Sequence, residues 1–432
     1  MRRLLPFCLL ACVHAGDWPQ WRGPGSNGVS SERGLPSEWS PETNLLWKTA
    51  IPGRGHSSPV VWGDRIFLTT AVEGDPIPGA AAPKHVLEGE VFRHPDAMAG
   101  DRSHAMFVLA VDTRSGRILW QQKVYEGRVY DDRHKKNTYA TPTPVTDGKR
   151  VYVSFESQGI YAFTLDGKPV WKSKVGDVAT IGMGPASSPV LSQGVLVCVF
   201  DQEEGKDSFI TGLSAATGET LWRKPRKSPA NWSTPIAVQS DGREVVLVTG
   251  ADKVAAYDAK SGSEVWTAPG VEGNAVPSPV SGFGMVFPSA GYPTKRAYGL
   301  KLDGSGDRVV WKYEKGTAYV PSPILYGEHL YIPTDRGLLT CLEARTGKLV
   351  YEGKRVPKPA SFSASPVAYD GNLLLTSEEG ETFVIRAGPE HEVLRTNSVG
   401  EPVHASPAIA NGRVYIRGNQ HLYAIGTPAK AR

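Results

Sequence analysis

The sequence predicts an all-β, eight-bladed propeller, and three observations carry that reading. A Ser-Pro or Thr-Pro pair recurs eight times, with its proline at Pro59, Pro144, Pro189, Pro235, Pro279, Pro323, Pro366 and Pro407. From Pro144 onward the steps are 45, 46, 44, 44, 43 and 41 residues. A period of roughly 40–50 residues belongs to propellers and solenoids, not to a string of separate domains. The second observation is a turn pattern, A-x-D-x-x-S-G-x-x-x-W, which runs from Ala110 to Trp120 and again from Ala256 to Trp266, with near copies ending at Trp222 and Tyr351. The third is a count. The last repeat stops one strand short, and an orphan strand stands at the start of the chain.

The elements follow in order. Met1-Arg2-Arg3 and the apolar run from Leu4 to Val13 read as a secretory signal peptide over residues 1–15, with a small-residue cleavage site at Val13-His14-Ala15. Leu9-Leu10-Ala11-Cys12 also resembles a lipobox, so a lipid anchor at Cys12 stands as the other reading. The apolar run is too short to span a bilayer. Residues 16–43 form a Pro/Gly-rich extension expected to run over the propeller surface, packed down by Trp18 and Trp21. Residues 44–427 form the propeller. Second strands are expected at 65–69, 150–155, 195–200, 244–249, 285–287, 329–332, 372–376 and 413–417, each rich in Val, Ile, Leu, Tyr and Phe. In the last repeat, Asn411-Gly412 marks a hairpin turn, and the third strand is expected at 421–425. The strand around Trp47 lies 12 residues before Pro59, matching the 12 or 13 residues that separate Trp222, Trp266 and Trp311 from the next proline. It should therefore complete the eighth blade and close the ring, which removes exposed sheet edges.

In the turn motif, Gly supplies positive φ and Asp and Ser bond backbone amides. Trp47, Trp120, Trp171, Trp222, Trp266 and Trp311 then serve as docking rings between blades. Each buried indole removes up to ~250 Å² from water, at most roughly 6 kcal/mol. Repeat seven departs from the pattern, with Leu394 where Trp is expected. Repeat one carries an insertion over residues 72–104, followed by a polar stretch from Glu126 to Lys136, so that Pro59 and Pro144 stand 85 residues apart. His85, His94 and His104 in the insertion are weak candidates for zinc ligands. Their spacing matches no metal motif, and a solvated lid is the plainer reading.

The charge is nearly balanced, 48 Lys+Arg against 44 Asp+Glu, and no basic run suggests a nucleic-acid groove. Beyond the signal segment, Cys198 and Cys341 are the remaining cysteines, each within an expected strand as a small buried hydrophobe.

The turn-and-tryptophan units resemble the tryptophan-docking repeats of quinoprotein (PQQ-like) eight-bladed propellers, over nearly all of residues 44–426. That superfamily includes PQQ-dependent alcohol and glucose dehydrogenases, BamB-type outer-membrane assembly lipoproteins, and secreted PQQ-like repeat proteins. The segment from Asp17 to Pro24, with Asn27-Gly28 after it, is similar to the N-terminal segment of the last group. In such a ring, the loops leading into the first strands should bring Arg54, His56, Asn137, Tyr139, Asn231, Trp232, Asn274, Tyr319, Phe362 and His404 to one rim of the central channel. Aromatic rings with amides and imidazoles suit a small polar ligand such as a sugar or a quinone. The plainer reading is that they plug a structural channel. A PQQ enzyme would also need Ca²⁺, which takes 6–8 oxygens. The first-strand loops offer Glu401, and the second-to-third-strand loops offer Glu156, Asp201, Glu203, Glu204, Asp252, Asp335, Glu378 and Glu379, with no spacing like a known site. The adjacent cysteines that the resemblance implies for the alcohol dehydrogenases are missing.

The sequence thus points first to a monomeric, exported, non-catalytic binding or scaffold propeller of the cell envelope, periplasmic or extracellular, with no cofactor. It would engage an envelope protein or glycan through its loops. The alternatives are a quinoprotein oxidoreductase with PQQ and Ca²⁺, and a carbohydrate-binding or carbohydrate-active propeller.

Overall fold

A computed structural model describes residues 16–81 and 83–428. The signal segment and Cys12 lie outside the described residues. Eight small antiparallel sheets follow one another around a ring. Blade 3 shows the plan: Val190–Ser192, Val195–Phe200, Phe209–Ser214 and Thr220–Pro225 pair in sequence order. The expected second strands recur as Val195–Phe200, Met285–Phe287, Asn372–Thr376 and Arg413–Arg417, with the others within a residue or two except in blade 1. Blade 8 is made of Ala408–Ala410, Arg413–Arg417 and His421–Ile425, and the strand Leu45–Ala50 pairs antiparallel with His421–Ile425 to complete it. The ring is therefore closed by the chain start.

The core lies between neighbouring sheets. Val197 and Val199 of blade 3, for instance, share one buried cluster with Val246 and Val248 of blade 4. Two devices repeat at these interfaces. In the first, the indole N–H of five of the six docking rings donates to a carbonyl in the turn of the next blade. Trp47 reaches Thr113, Trp120 reaches Leu165, Trp171 reaches Ala215, Trp222 reaches Ala259 and Trp311 reaches Ala344, at 2.8–3.0 Å. Trp266 differs: its N–H donates to Ser240 Oγ, which in turn donates to Leu302 O, and the Arg308 guanidinium sits over its ring. Within the turn, Asp112 Oδ1 accepts from Arg114 N–H and from the Ser115 N–H and hydroxyl, and Asp258 repeats this with Lys260 and Ser261.

The second device explains the Ser-Pro and Thr-Pro pairs. The backbone N–H of Ser58 donates to Thr143 Oγ1, Thr143 to Ser188, Ser188 to Thr234, Thr234 to Ser278, Ser278 to Ser322, Ser322 to Ser365, and Ser365 to Ser406, at 2.8–3.1 Å. Seven links thus form a belt around the channel. At the seam between blades 8 and 1, Ser58 Oγ is buried without a partner. There the fully buried Arg417 of blade 8 crosses instead, donating to Ser57 Oγ and Thr69 O of blade 1 at 2.7 and 2.6 Å. Burial without a carboxylate pulls its pKa down to about 9.

Blade 7 has Leu394, partly buried, in place of a docking tryptophan. Trp39 of the N-terminal extension is buried in the same core cluster, held there by its backbone N–H, which donates to Asn397 Oδ1, while its indole N–H has no partner among the described residues. The extension therefore contributes a ring where the repeat lacks one.

Candidate functional site

The extension crosses the face formed by the first-to-second-strand turns. Trp18 bridges Val61 of blade 1, Asn27 exchanges hydrogen bonds with Ser281 of blade 5, and Val29 bridges Ala368 of blade 7. On the way Trp21 enters the channel and donates to Ser278 Oγ at 3.1 Å. The channel holds a well of about 610 Å³ with Trp21 among its lining and the Ser/Thr belt around its wall. Of the rim residues expected from the sequence, His56, Asn137, Trp232, Tyr319, Phe362 and His404 line this well. The other four are not part of its lining. Tyr139 is buried, with its hydroxyl donating to Asp131 O at 2.7 Å and its ring edge-on to His104. Asn231 is buried against Asp201 and Thr249 O. Asn274 lines a separate surface depression beside Asp252. Arg54 pairs through its backbone with Ala71 beside the mouth.

The mouth is polar and cross-braced. His56 and His404 stack with centroids 4.6 Å apart and planes 6° from parallel. Burial, then the neighbouring His404, Arg54, Arg417 and Arg133, hold His56 well below the usual imidazole range, so it is neutral. Burial also lowers His404, against the opposing pull of Glu378. Burial works to raise Glu378, but bonds from Lys136 and Ser363 outweigh it and leave the carboxylate ionised. The Lys136–Glu378 pair, 2.9 Å, ties the polar stretch after blade 1 to blade 7 across the mouth.

Blade 1 carries the largest elaboration. Its strands Arg65–Pro76, Arg102–Asp112 and Ile118–Arg128 run 11 or 12 residues, against five or six for most of their counterparts. About five extra residues per strand extend the sheet by roughly 17 Å. Two further small ladders, His85–Leu87 with Glu90–Phe92 and Ala97–Met98 with Arg133–His134, complete it. The insertion is thus built in part of paired strands, and much of it is exposed to solvent. Its three histidines do not converge. His104 is buried against Tyr139. His85 is buried between Asp131, 2.9 Å from Nε2, and Glu203, 3.1 Å from Nδ1. His94 alone of the three joins a possible ligand group, with Asp96 and His134. His134 was visible in the polar stretch, but the pairing that brings it to His94 was not.

Three of the candidate carboxylates, two at the mouth and Asp201 buried away from it, bear on the quinone reading. Asp335 accepts the N–H groups of Tyr319 and Val320 at 2.8 Å each. Glu378 is held by Lys136 and Ser363. Asp201 is buried in a pair with Arg226 and also holds Asn231. Each is committed to local structure, so these residues do not fit a Ca²⁺–quinone pair. Among the described residues, Cys198 and Cys341 are buried, free thiols on separate blades.

The family described as outer membrane protein assembly factor BamB matches residues 105–350. The chain belongs to that family. The BamB protein of Burkholderia pseudomallei (strain K96243) is 25% identical over 293 residues, covering 62% of this chain and 70% of that one. Among solved structures, BamB from Moraxella catarrhalis superposes with a TM-score of 0.56 at 14% identity, over 80% of this chain and 99% of that chain. Quinohemoprotein alcohol dehydrogenase from Comamonas testosteroni gives 0.62 at 12%, over 96% and 82%. Both solved structures share the propeller fold with this chain. An envelope-scaffold propeller is the coarse functional class that the family supports.

Proposed function

We propose that this chain is an exported binding and scaffold propeller of the cell envelope that engages a membrane-assembly protein through the blade 1 elaboration. One observation carries the reading. The hairpin His85–Leu87/Glu90–Phe92 places Val86 directly opposite Val91, and these two side chains are 47% and 71% exposed. A cross-strand apolar pair on an anchored hairpin is a contact surface for a protein, and loops projecting from a rigid scaffold are where such contacts concentrate. The name of the BamB relatives, outer membrane protein assembly factors, supplies the class of partner. The signal-like residues 1–15 supply the route to the envelope.

The test is a photo-crosslinking residue at Val91 in cells, with Leu221, exposed on an outer strand of blade 3, as the control position. An adduct with an outer-membrane assembly protein from position 91 and none from 221 is the expected result. Equal labelling at both positions overturns it. Thermal unfolding with PQQ plus Ca²⁺ addresses the competing enzyme reading. A ligand at about 100 times its dissociation constant would add about 2.7 kcal/mol. No shift is expected, and a saturable, Ca²⁺-dependent rise would restore the quinoprotein.

A further inference from the structure

Two separated stretches of chain meet at the rim of the well. His94 and Asp96 lie on the turn that precedes the short strand Ala97–Met98, and His134 ends the strand Arg133–His134 that pairs with it. Backbone bonds pin all three. Ala97 N–H donates to His94 O at 3.0 Å, Lys135 N–H to Asp96 O at 2.9 Å, and His134 N–H to Met183 O at 3.2 Å. One ligand atom from each side chain lies within 4.8 Å of the other two. His134 Nε2 is 3.4 Å from Asp96 Oδ2, and the two imidazoles stand edge to face, 5.7 Å between centroids. Both imidazoles also line the well.

We propose that His94, Asp96 and His134 form a binding site for a divalent transition-metal ion of the zinc type, with its open coordination positions facing the well. Two imidazoles and one carboxylate match the donor preference of such ions. Three protein ligands leave a position for water or for an anionic group of a ligand, unlike a closed structural zinc site. Affinity is limited by local bonding. His94 Nδ1 accepts Asp96 N–H and His134 Nδ1 accepts Lys136 N–H, so each ring carries its proton on Nε2 in the ion-free form. Binding through Nε2 moves those protons to Nδ1 and breaks both contacts. Lys135 Nζ, 2.9 Å from Asp96 Oδ1, also offsets part of the carboxylate's charge and leaves Oδ2 as the oxygen that faces His134. Binding weaker than at a site already arranged for the ion is the consequence.

The experiment titrates the untagged, chelator-treated chain with Zn²⁺ by calorimetry and with Co²⁺ by visible absorption, whose d–d bands report coordination number and geometry. One equivalent is expected, weakened at least about tenfold in His134→Ala and in Asp96→Asn and unchanged in His329→Gln. Thermal unfolding in chelator shows whether each variant is folded, and Asp96→Asn carries the test where His134→Ala is not. Absence of saturable binding overturns the proposal. So does binding that survives in a folded His134→Ala or Asp96→Asn variant, or that is lost equally in His329→Gln.

Discussion

At the scale of single residues, the turn glycines decide how closely two blades approach. Gly262 has φ +67°, and a Cβ there would fall 2.4 Å from Cε3 of the docked Trp222. Gly242 has φ +75° in a hairpin turn, with nothing within 4 Å of its Cβ position. Gly242→Ala therefore meets the left-handed backbone penalty alone, about 1–2 kcal/mol. Gly262→Ala adds overpacking against the indole, for a total of roughly 3 kcal/mol or more. Denaturant unfolding of the two variants checks this, and equal losses would mean that ring docking does not set the inter-blade distance. The glycine and the tryptophan were legible because both lie in one local motif. The Ser-Pro and Thr-Pro hydroxyls were visible as a repeat, but the belt they form was not, because each donor that reaches one sits a whole blade away in the chain.

At the scale of elements, blade 1's elaboration is held by charge. The His85–Leu87 strand docks on the loop after Val195–Phe200, where Glu88 N–H also donates to Glu204. Burial of His85 disfavours its charged form, but Asp131 and Glu203 outweigh burial and its pKa is raised. The imidazolium bond is thus complete below the unfolded value near ~6.5 and fades as pH climbs through the raised folded value. Amide exchange over residues 77–100 should be slower at about pH 5.5 than about pH 8.5, beyond the intrinsic rate change. His85→Ala should remove that difference and ease local opening by roughly 3 kcal/mol at the lower pH. Protection independent of pH in the native chain would sink the assignment. This docking escaped the sequence because His85 and Glu203 lie on different blades, and His94 was hidden from His134 because they sit on separate stretches of the blade 1 elaboration that only strand pairing brings together. Counting repeats revealed that blade 1 had extra length. It could not reveal that the length would fold back as strands.

At the scale of the whole molecule, the segment ahead of blade 1 has three tasks. Leu45–Ala50 completes blade 8, Trp39 packs beside Leu394 where the repeat lacks its own ring, and Trp21 enters the channel. The missing fourth strand was countable from the sequence. The entry of Trp21 into the channel was not, since nothing in a Pro/Gly-rich stretch says which ring turns inward. The magnitudes imply that closure depends on this segment. Burial of Trp18 and Trp39 and docking of Trp47 are each comparable to a Trp→Ala loss of about 3–5 kcal/mol. Their sum, roughly 10 kcal/mol, is as large as the whole stability of an ordinary domain. A chain starting at Ile51 should therefore lose cooperative unfolding and self-associate through the bared edge of His421–Ile425. A peptide of residues 16–50 supplied in trans should restore the monomer and its melting transition, whereas the same peptide with Trp47→Ala should restore them poorly. If the shortened chain melts within a few degrees of the full one, the ring is held by its blade interfaces alone and the N-terminal strand is not its clasp.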